Sequence, residues 1–198
     1  MYIKFLILSL LTLLTSISVC GEIPRDRPPP EIAQSLPGGD FQLHSSRGDF
    51  SLSQYKGKVV LLYFGYTQCP DVCPTSLAIL TQALNGLNPE ELESVRGVFV
   101  SVDPKRDSYQ RLDDYTRYFH PNLIGVTGND DEVAGVAQQY GAQYRAVSLE
   151  GSGMGYAVDH SAVTYLITQD GELRFAFPHE TPAFVILEAI RYQLEQES

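Results

Sequence analysis

Lys58-Val59-Val60-Leu61-Leu62-Tyr63-Phe64-Gly65-Tyr66-Thr67-Gln68-Cys69-Pro70-Asp71-Val72-Cys73-Pro74 is the stretch that decides the fold. Its first half, Lys58 to Tyr66, is a continuous apolar run rich in β-branched and aromatic residues. That is the composition of a strand buried on both faces of a sheet. Beyond it, Thr75 to Leu87 places Leu77, Leu80, Ala83, Leu84 and Leu87 at helical spacing. Cys69 and Cys73 therefore sit between a buried strand and a helix, at the carboxyl end of a strand, where α/β sheets form their sites. Cysteines at i and i+4 on a helical turn face the same way, with Cα atoms about 6 Å apart. That separation permits a disulfide and equally permits two thiolates on one metal. Unpaired amide N–H groups at a helix start lower a thiol pKa, which favours the thiolate both chemistries need. A plain structural disulfide is the third reading.

Working outward, Phe41 to His44 and Asp49 to Leu52 flank Ser45-Ser46-Arg47-Gly48 and read as a hairpin. Gly97 to Val102 is a second buried strand. Ser108 caps a helix through Phe119, ended by His120-Pro121. Leu123 to Val126 is a short strand, and Asp130 to Tyr140 a helix closed by Gly141. Ala162 to Thr168 and Glu172 to Phe177 flank an Asp170-Gly171 turn, and Pro182 to Glu195 is the last helix. Parallel strands joined by helices, finished by an antiparallel hairpin and a helix, predict an α/β fold: a mixed sheet flanked by helices. This order resembles a thioredoxin-like domain with an N-terminal β-hairpin and an added insertion.

Two cysteines do not fill a metal site, so the four histidines are candidates for a third ligand. His44 belongs to the outer hairpin and reads as solvated. His120 ends a helix before a proline and reads as a cap on free carbonyls. His179 follows Pro178 among polar residues. His160 differs, because Tyr156-Ala157-Val158-Asp159-His160-Ser161 immediately precedes the strand Ala162-Val163-Thr164-Tyr165-Leu166-Ile167. In a thioredoxin-like sheet the loop before that strand lies against the cysteine turn. Two soft sulfurs and one imidazole suit Cu(I), and Cu(II) if an oxygen ligand joins, while Zn(II) with a water fits the same donors.

The chain has 198 residues, 43% of them apolar and 19% charged, enough to build one core and too apolar for wholesale disorder. Asp and Glu number 24 against 14 Lys and Arg, a net charge of −10 that excludes a non-specific nucleic-acid binder. Three cysteines exclude a disulfide-stapled scaffold. Residues 1–20 read as a signal peptide or lipoprotein signal, with Lys4 before the apolar run Phe5 to Leu14. Ile17-Ser18-Val19-Cys20 resembles a lipobox, with Val19 where a small residue is usual, so Cys20 is a candidate for lipidation. Residues 21–39 form a Pro-rich linker, and 40–198 the domain proper. The expectation is an exported domain on the periplasmic side of the cytoplasmic membrane, held there through its N-terminal anchor, where disulfides are permitted.

Three ordered motifs resemble the Sco/SenC family of copper proteins. They are Tyr63-Phe64-Gly65-Tyr66-Thr67-Gln68-Cys69-Pro70-Asp71-Val72-Cys73-Pro74, Val102-Asp103-Pro104-Lys105-Arg106-Asp107 and Val158-Asp159-His160-Ser161. The resemblance covers roughly Leu36 to Leu194. It implies a thioredoxin-like copper-binding domain with Cys69, Cys73 and His160 as copper ligands, and Asp71 and Asp159 as supporting residues. It also implies a metallochaperone that delivers copper to, or prepares, the dinuclear copper centre of cytochrome c oxidase. Its partners would be the copper-accepting oxidase subunit, with a periplasmic thiol reductant or copper donor. Gln68 stands where some relatives have His, and Gln169-Asp170-Gly171 replaces a Pro-containing turn.

The alternative function is a thiol-disulfide oxidoreductase in which Cys69 and Cys73 form a redox disulfide. Redox thioredoxins keep two residues between their cysteines and a cis-proline before the facing strand. This chain has three residues there and His160 near the proline position, which favours ligation. A thiol peroxidase, suggested by Thr67 ahead of Cys69, lacks the upstream proline and is one residue short. Asp103-Pro104-Lys105-Arg106-Asp107 reads as a capped, salt-bridged turn, with docking of a partner as the second reading.

Overall fold

A computed structural model describes residues 38–149, 151, 153 and 155–196. The signal, Cys20 and all but the last two linker residues lie outside the described residues. A hairpin, β1 (Gln42–Ser45) with β2 (Gly48–Ser51), opens the domain and runs into a short 3-10 turn at Leu52–Tyr55. Next come β3 (Val59–Gly65), α1 (Val72–Asn85), α2 (Pro89–Glu93), β4 (Val95–Ser101), α3 (Tyr109–Phe119), β5 (Leu123–Val126) and α4 (Asp130–Gln139). A second hairpin, β6 (Tyr144–Ser148) with β7 (Tyr156–His160), precedes β8 (Val163–Ile167), β9 (Leu173–Pro178) and α5 (Ala183–Gln196).

Five strands form the central sheet in the order β5-β4-β3-β8-β9. β3, β4 and β5 run parallel, β8 is antiparallel to β3, and β9 is antiparallel to β8. β3 is the middle strand, and all seven of its residues are buried, as an uninterrupted apolar run requires. On one face Tyr63 stacks on Phe99, which meets Tyr115 of α3, and α1 and α5 pack beside them. On the other face Phe64 meets Tyr140 at the end of α4 and Tyr165 of β8, with Phe41 closing the layer. The first hairpin is tied to the sheet by paired backbone hydrogen bonds between His44 and Thr127, 2.8 and 2.9 Å. The mixed α/β fold with its N-terminal hairpin is thus as the sequence predicts.

Two local readings change, and one helix appears that the sequence reading does not contain. α1 begins at Val72 and not at Thr75, because the first N–H groups of a helix have no intrahelical acceptor, so Pro74 in the first turn forfeits nothing. α2 carries a full capping box, with Asn88 accepting from the Glu91 amide and Glu91 accepting from the Asn88 amide, but none of its five residues is fully buried. Apolar periodicity therefore gives no sign of it. His120 does not cap carbonyls through its ring: the ring is buried and its Nδ1 accepts the Asn122 N–H at 3.0 Å. Burial, with the nearby Arg96 charge, holds its pKa below the usual histidine value.

Candidate metal centre

β3 delivers the cysteine turn at its carboxyl end. Cys69 lies outside α1, its amide closing a turn on the Tyr66 carbonyl at 3.2 Å, and Cys73 lies in the first turn of the helix. The pair is therefore not two positions of one helical turn, yet the loop curls Cys69 back over the helix start. Cys73 is fully buried, Cys69 is half-buried, and both are free thiols. The buried Cys73 Sγ fits because Gly65 leaves room for it: a Cβ on Gly65 would lie 2.7 Å from that sulfur.

His160 closes the group. It is the last residue of β7 and not part of a loop, and strand alternation turns Tyr156, Val158 and His160 toward the body of the domain. Its Nε2 lies 3.2 Å from Cys73 Sγ, and its Nδ1 lies 3.3 Å from the Ser161 carbonyl. With its proton on Nδ1, facing that carbonyl acceptor, the ring would turn an Nε2 lone pair toward the sulfurs. Tyr63 and Tyr66 hold the ring between their own, both edge-on at 87°, with centroids 6.1 and 5.9 Å away. Cys69 Sγ, Cys73 Sγ and a His160 nitrogen all lie within 4.8 Å of one another.

The two thiols share one proton. A hydrogen bond from Cys73 holds the Cys69 thiol down to about 3; His160 and the backbone amides of Asp71 and Cys73 assist, while burial opposes. Giving that hydrogen bond, and burial, push the Cys73 thiol up. The helix-start amides thus act on the cysteine outside the helix. Burial is also the main cause that raises Tyr63, beneath the pair, with the nearby cysteines adding to it.

The other histidines lie elsewhere. His44 Nδ1 is 3.0 Å from Asp49 on the outer hairpin, and His179 Nδ1 is 2.9 Å from Ser76 Oγ, one turn along α1 from Cys73. Asp71 is exposed at the N-cap of α1 without a side-chain cap bond. Asp159 points outward and pairs with Arg145 across the hairpin at 3.0 Å, an exposed ion pair worth at most about 1 kcal/mol.

Asp103-Pro104-Lys105-Arg106-Asp107 is the salt-bridged turn its sequence suggests, with Arg106 on Asp103. It also reaches further. Asp107, buried, accepts from the Thr67 amide and hydroxyl at 2.9 and 2.5 Å and from Ser101 Oγ at 2.6 Å. Asp107→Ala leaves three donors without an acceptor, at about 1–3 kcal/mol each when buried. We expect it to destabilise the domain by about 3 kcal/mol or more, read as a lowered urea midpoint; an unchanged midpoint would show that water replaces the carboxylate.

Comparison with known proteins decides the family. Residues 30–195 match the SCO1/SenC family. The chain belongs to that family. An SCO2-like protein of Rickettsia felis is 40% identical over 136 residues, 68% of this chain and 66% of that protein. The mitochondrial SCO2 homologue of mouse is 37% identical over 155 residues, 77% of this chain and 60% of its own length. The chain thus spans somewhat under two thirds of both relatives. Among solved structures, Arabidopsis thaliana ScoI with copper bound superposes with a TM-score of 0.72 at 34% identity, covering 81% of this chain and 99% of that one. Thermus thermophilus apo Sco1 gives 0.72 at 36% identity, over 80% and 92%. BsSco, described as a member of the Sco family of cytochrome c oxidase assembly proteins, shares the fold at 24% identity and a TM-score of 0.62, over 80% and 93%.

Proposed function

We propose that this Sco/SenC protein binds copper through Cys69, Cys73 and His160 and carries it in the assembly of cytochrome c oxidase. The convergence of two sulfurs and one imidazole nitrogen within 4.8 Å is the observation that supports this most. The donor set is soft and three-membered, as a cuprous ion prefers. Copper bound in the similar Arabidopsis structure, and the assembly role named for BsSco's family, point the same way. Cys69 enters as a thiolate, Cys73 gives up its proton on binding, and His160 offers Nε2 with its proton on Nδ1 beside the Ser161 carbonyl. Half-buried Cys69 is the sulfur an incoming acceptor thiolate meets first, so transfer begins there. The acceptor is the copper-accepting subunit of the oxidase, and the domain works on the periplasmic side of the membrane, tethered by its N-terminal segment.

The test is stoichiometry with a variant. Purified, reduced domain should hold one copper per chain, and His160→Ala should weaken it about 10- to 100-fold, less than loss of a sulfur. A chain that holds no copper under reducing conditions would remove the reading.

A second reading rests on the low pKa and partial exposure of Cys69 beside a protonated, buried Cys73. Cys69 thiolate attacks a disulfide in the target and forms a mixed disulfide; Cys73 then displaces the target thiol and closes the Cys69–Cys73 bond. Two electrons pass to the target with the Cys73 proton, a second proton comes from solvent, and a periplasmic thiol reductant restores the pair. Reduction of an oxidised acceptor peptide by the copper-free domain, lost in Cys69→Ser, separates this activity from copper transfer.

A further inference from the structure

β7 carries His160, yet among the described residues β7 pairs with β6 alone and has no ladder to the central sheet. The Tyr63 and Tyr66 rings and the link into β8 at Val163 hold its far end, and a further set of contacts holds the near one. At the start of the same strand Tyr156 is held by three contacts to one turn. Its hydroxyl donates to Asp103 at 2.6 Å, its carbonyl accepts from Arg106 at 2.8 Å, and the Arg106 guanidinium lies 3.7 Å over its ring. Tyr156 and His160 share a strand face four residues apart, so a pin at one end aims the other. Arg106 also faces the Tyr66 ring at 5.5 Å, and Tyr66 meets His160 edge-on. The guanidinium therefore reaches the imidazole by two routes, along the strand and through an aromatic contact.

The same turn reaches the sulfurs. Asp107, one residue on, holds Thr67, two residues before Cys69. The turn itself is closed by the Arg106 and Asp107 amides on the Asp103 carbonyl, 3.1 and 3.0 Å, and by the partly buried Arg106–Asp103 pair. A single rigid turn is thus bonded to both halves of the candidate site, which are otherwise 87 residues apart in sequence. We propose that Arg106 is the positioning residue for His160: it decides whether the imidazole joins the two sulfurs on copper or swings clear with the hairpin. The proposal rests on the copper reading above.

The experiment is a double-mutant cycle on the reduced full chain loaded with Cu(I). Affinity is read by chelator competition and ligand number by X-ray absorption. Wild type should show two sulfurs and one nitrogen, and His160→Ala two sulfurs alone. Arg106→Leu should lose the nitrogen and weaken binding by the same factor as His160→Ala, about 10- to 100-fold, with no further loss when the two are combined. Arg106→Lys, which keeps the charge beside Asp103 but not the planar stack, should give a partial loss and serves if Arg106→Leu does not fold. Nitrogen ligation and affinity retained in Arg106→Leu or Arg106→Lys would overturn the proposal, as would losses that simply add to that of His160→Ala. Wild type without a nitrogen ligand would instead overturn the copper reading at its source.

Discussion

Oxidising Cys69 and Cys73 to a disulfide is expected to abolish copper binding. A cysteine binds a metal as its thiolate, and a disulfide removes two of the three proposed donors in one step. Structural zinc sites bind with about 10–16 kcal/mol spread over four ligands, or roughly 3 kcal/mol per donor, and 1.4 kcal/mol is a factor of ten. On that scale one lost thiolate weakens binding about 100-fold or more, and losing both weakens it about 10⁴-fold. Cys69→Ser and Cys73→Ser should each show the first of these, because a neutral hydroxyl is a hard, poor donor for a cuprous ion. Chelator competition with reduced protein, oxidised protein and the two serine variants measures all four affinities. Equal affinity for the reduced and disulfide forms would mean that copper binds elsewhere, and thiol exchange would then be the function of the pair.

The two halves of the site are legible in the sequence to different degrees. β3 and the cysteine turn can be read because a buried strand has a composition of its own, and the bounds of β5 at Leu123–Val126 agree to the residue. His160 is legible through the strand after it, Val163–Ile167, and through the resemblance, not through its own surroundings. The hairpin that carries it leaves little trace. β6 is largely exposed, and β7 buries only Val158 fully, so neither shows a firm two-residue rhythm. Contacts that join distant segments leave none. Asp107 meets Thr67 across 40 residues, and Tyr156 meets Asp103 across 53, and spacing along the chain carries no record of either. The turn from Asp103 to Asp107 reads as salt-bridged from its charges, but its reach to both halves of the site appears only in three dimensions. Tyr66 belongs to the cysteine motif by sequence, while its place against His160 is set by the fold.

Gly65 is another residue whose role geometry reveals, and its substitution should lower stability and copper affinity together. It is the last residue of β3, in extended backbone, so it is not there for a left-handed turn; it is there for space. A Cβ would lie 2.7 Å from Cys73 Sγ, 3.0 Å from Phe99 Cε2 and 3.1 Å from Tyr63 Cε1. All three neighbours are fully buried, so none can swing into solvent. Gly65→Ala should therefore destabilise the domain by about 1–3 kcal/mol through overpacking. The sulfur is the one neighbour at the end of a short side chain, so much of the displacement falls on it. Cys73 Sγ is also the atom 3.2 Å from His160 Nε2, and moving it opens the donor triangle. Metal sites tolerate only about 0.5 Å of error in a ligand, so copper affinity should fall about 10- to 100-fold. Ile190→Val, in the buried face of α5, supplies the control: it should cost about 0.5–1.5 kcal/mol in stability and leave copper binding unchanged. If Gly65→Ala lowers the urea midpoint as far as predicted but binds copper like wild type, the strand end has relaxed away from the thiol, and Gly65 serves the packing of Phe99 and Tyr63 alone.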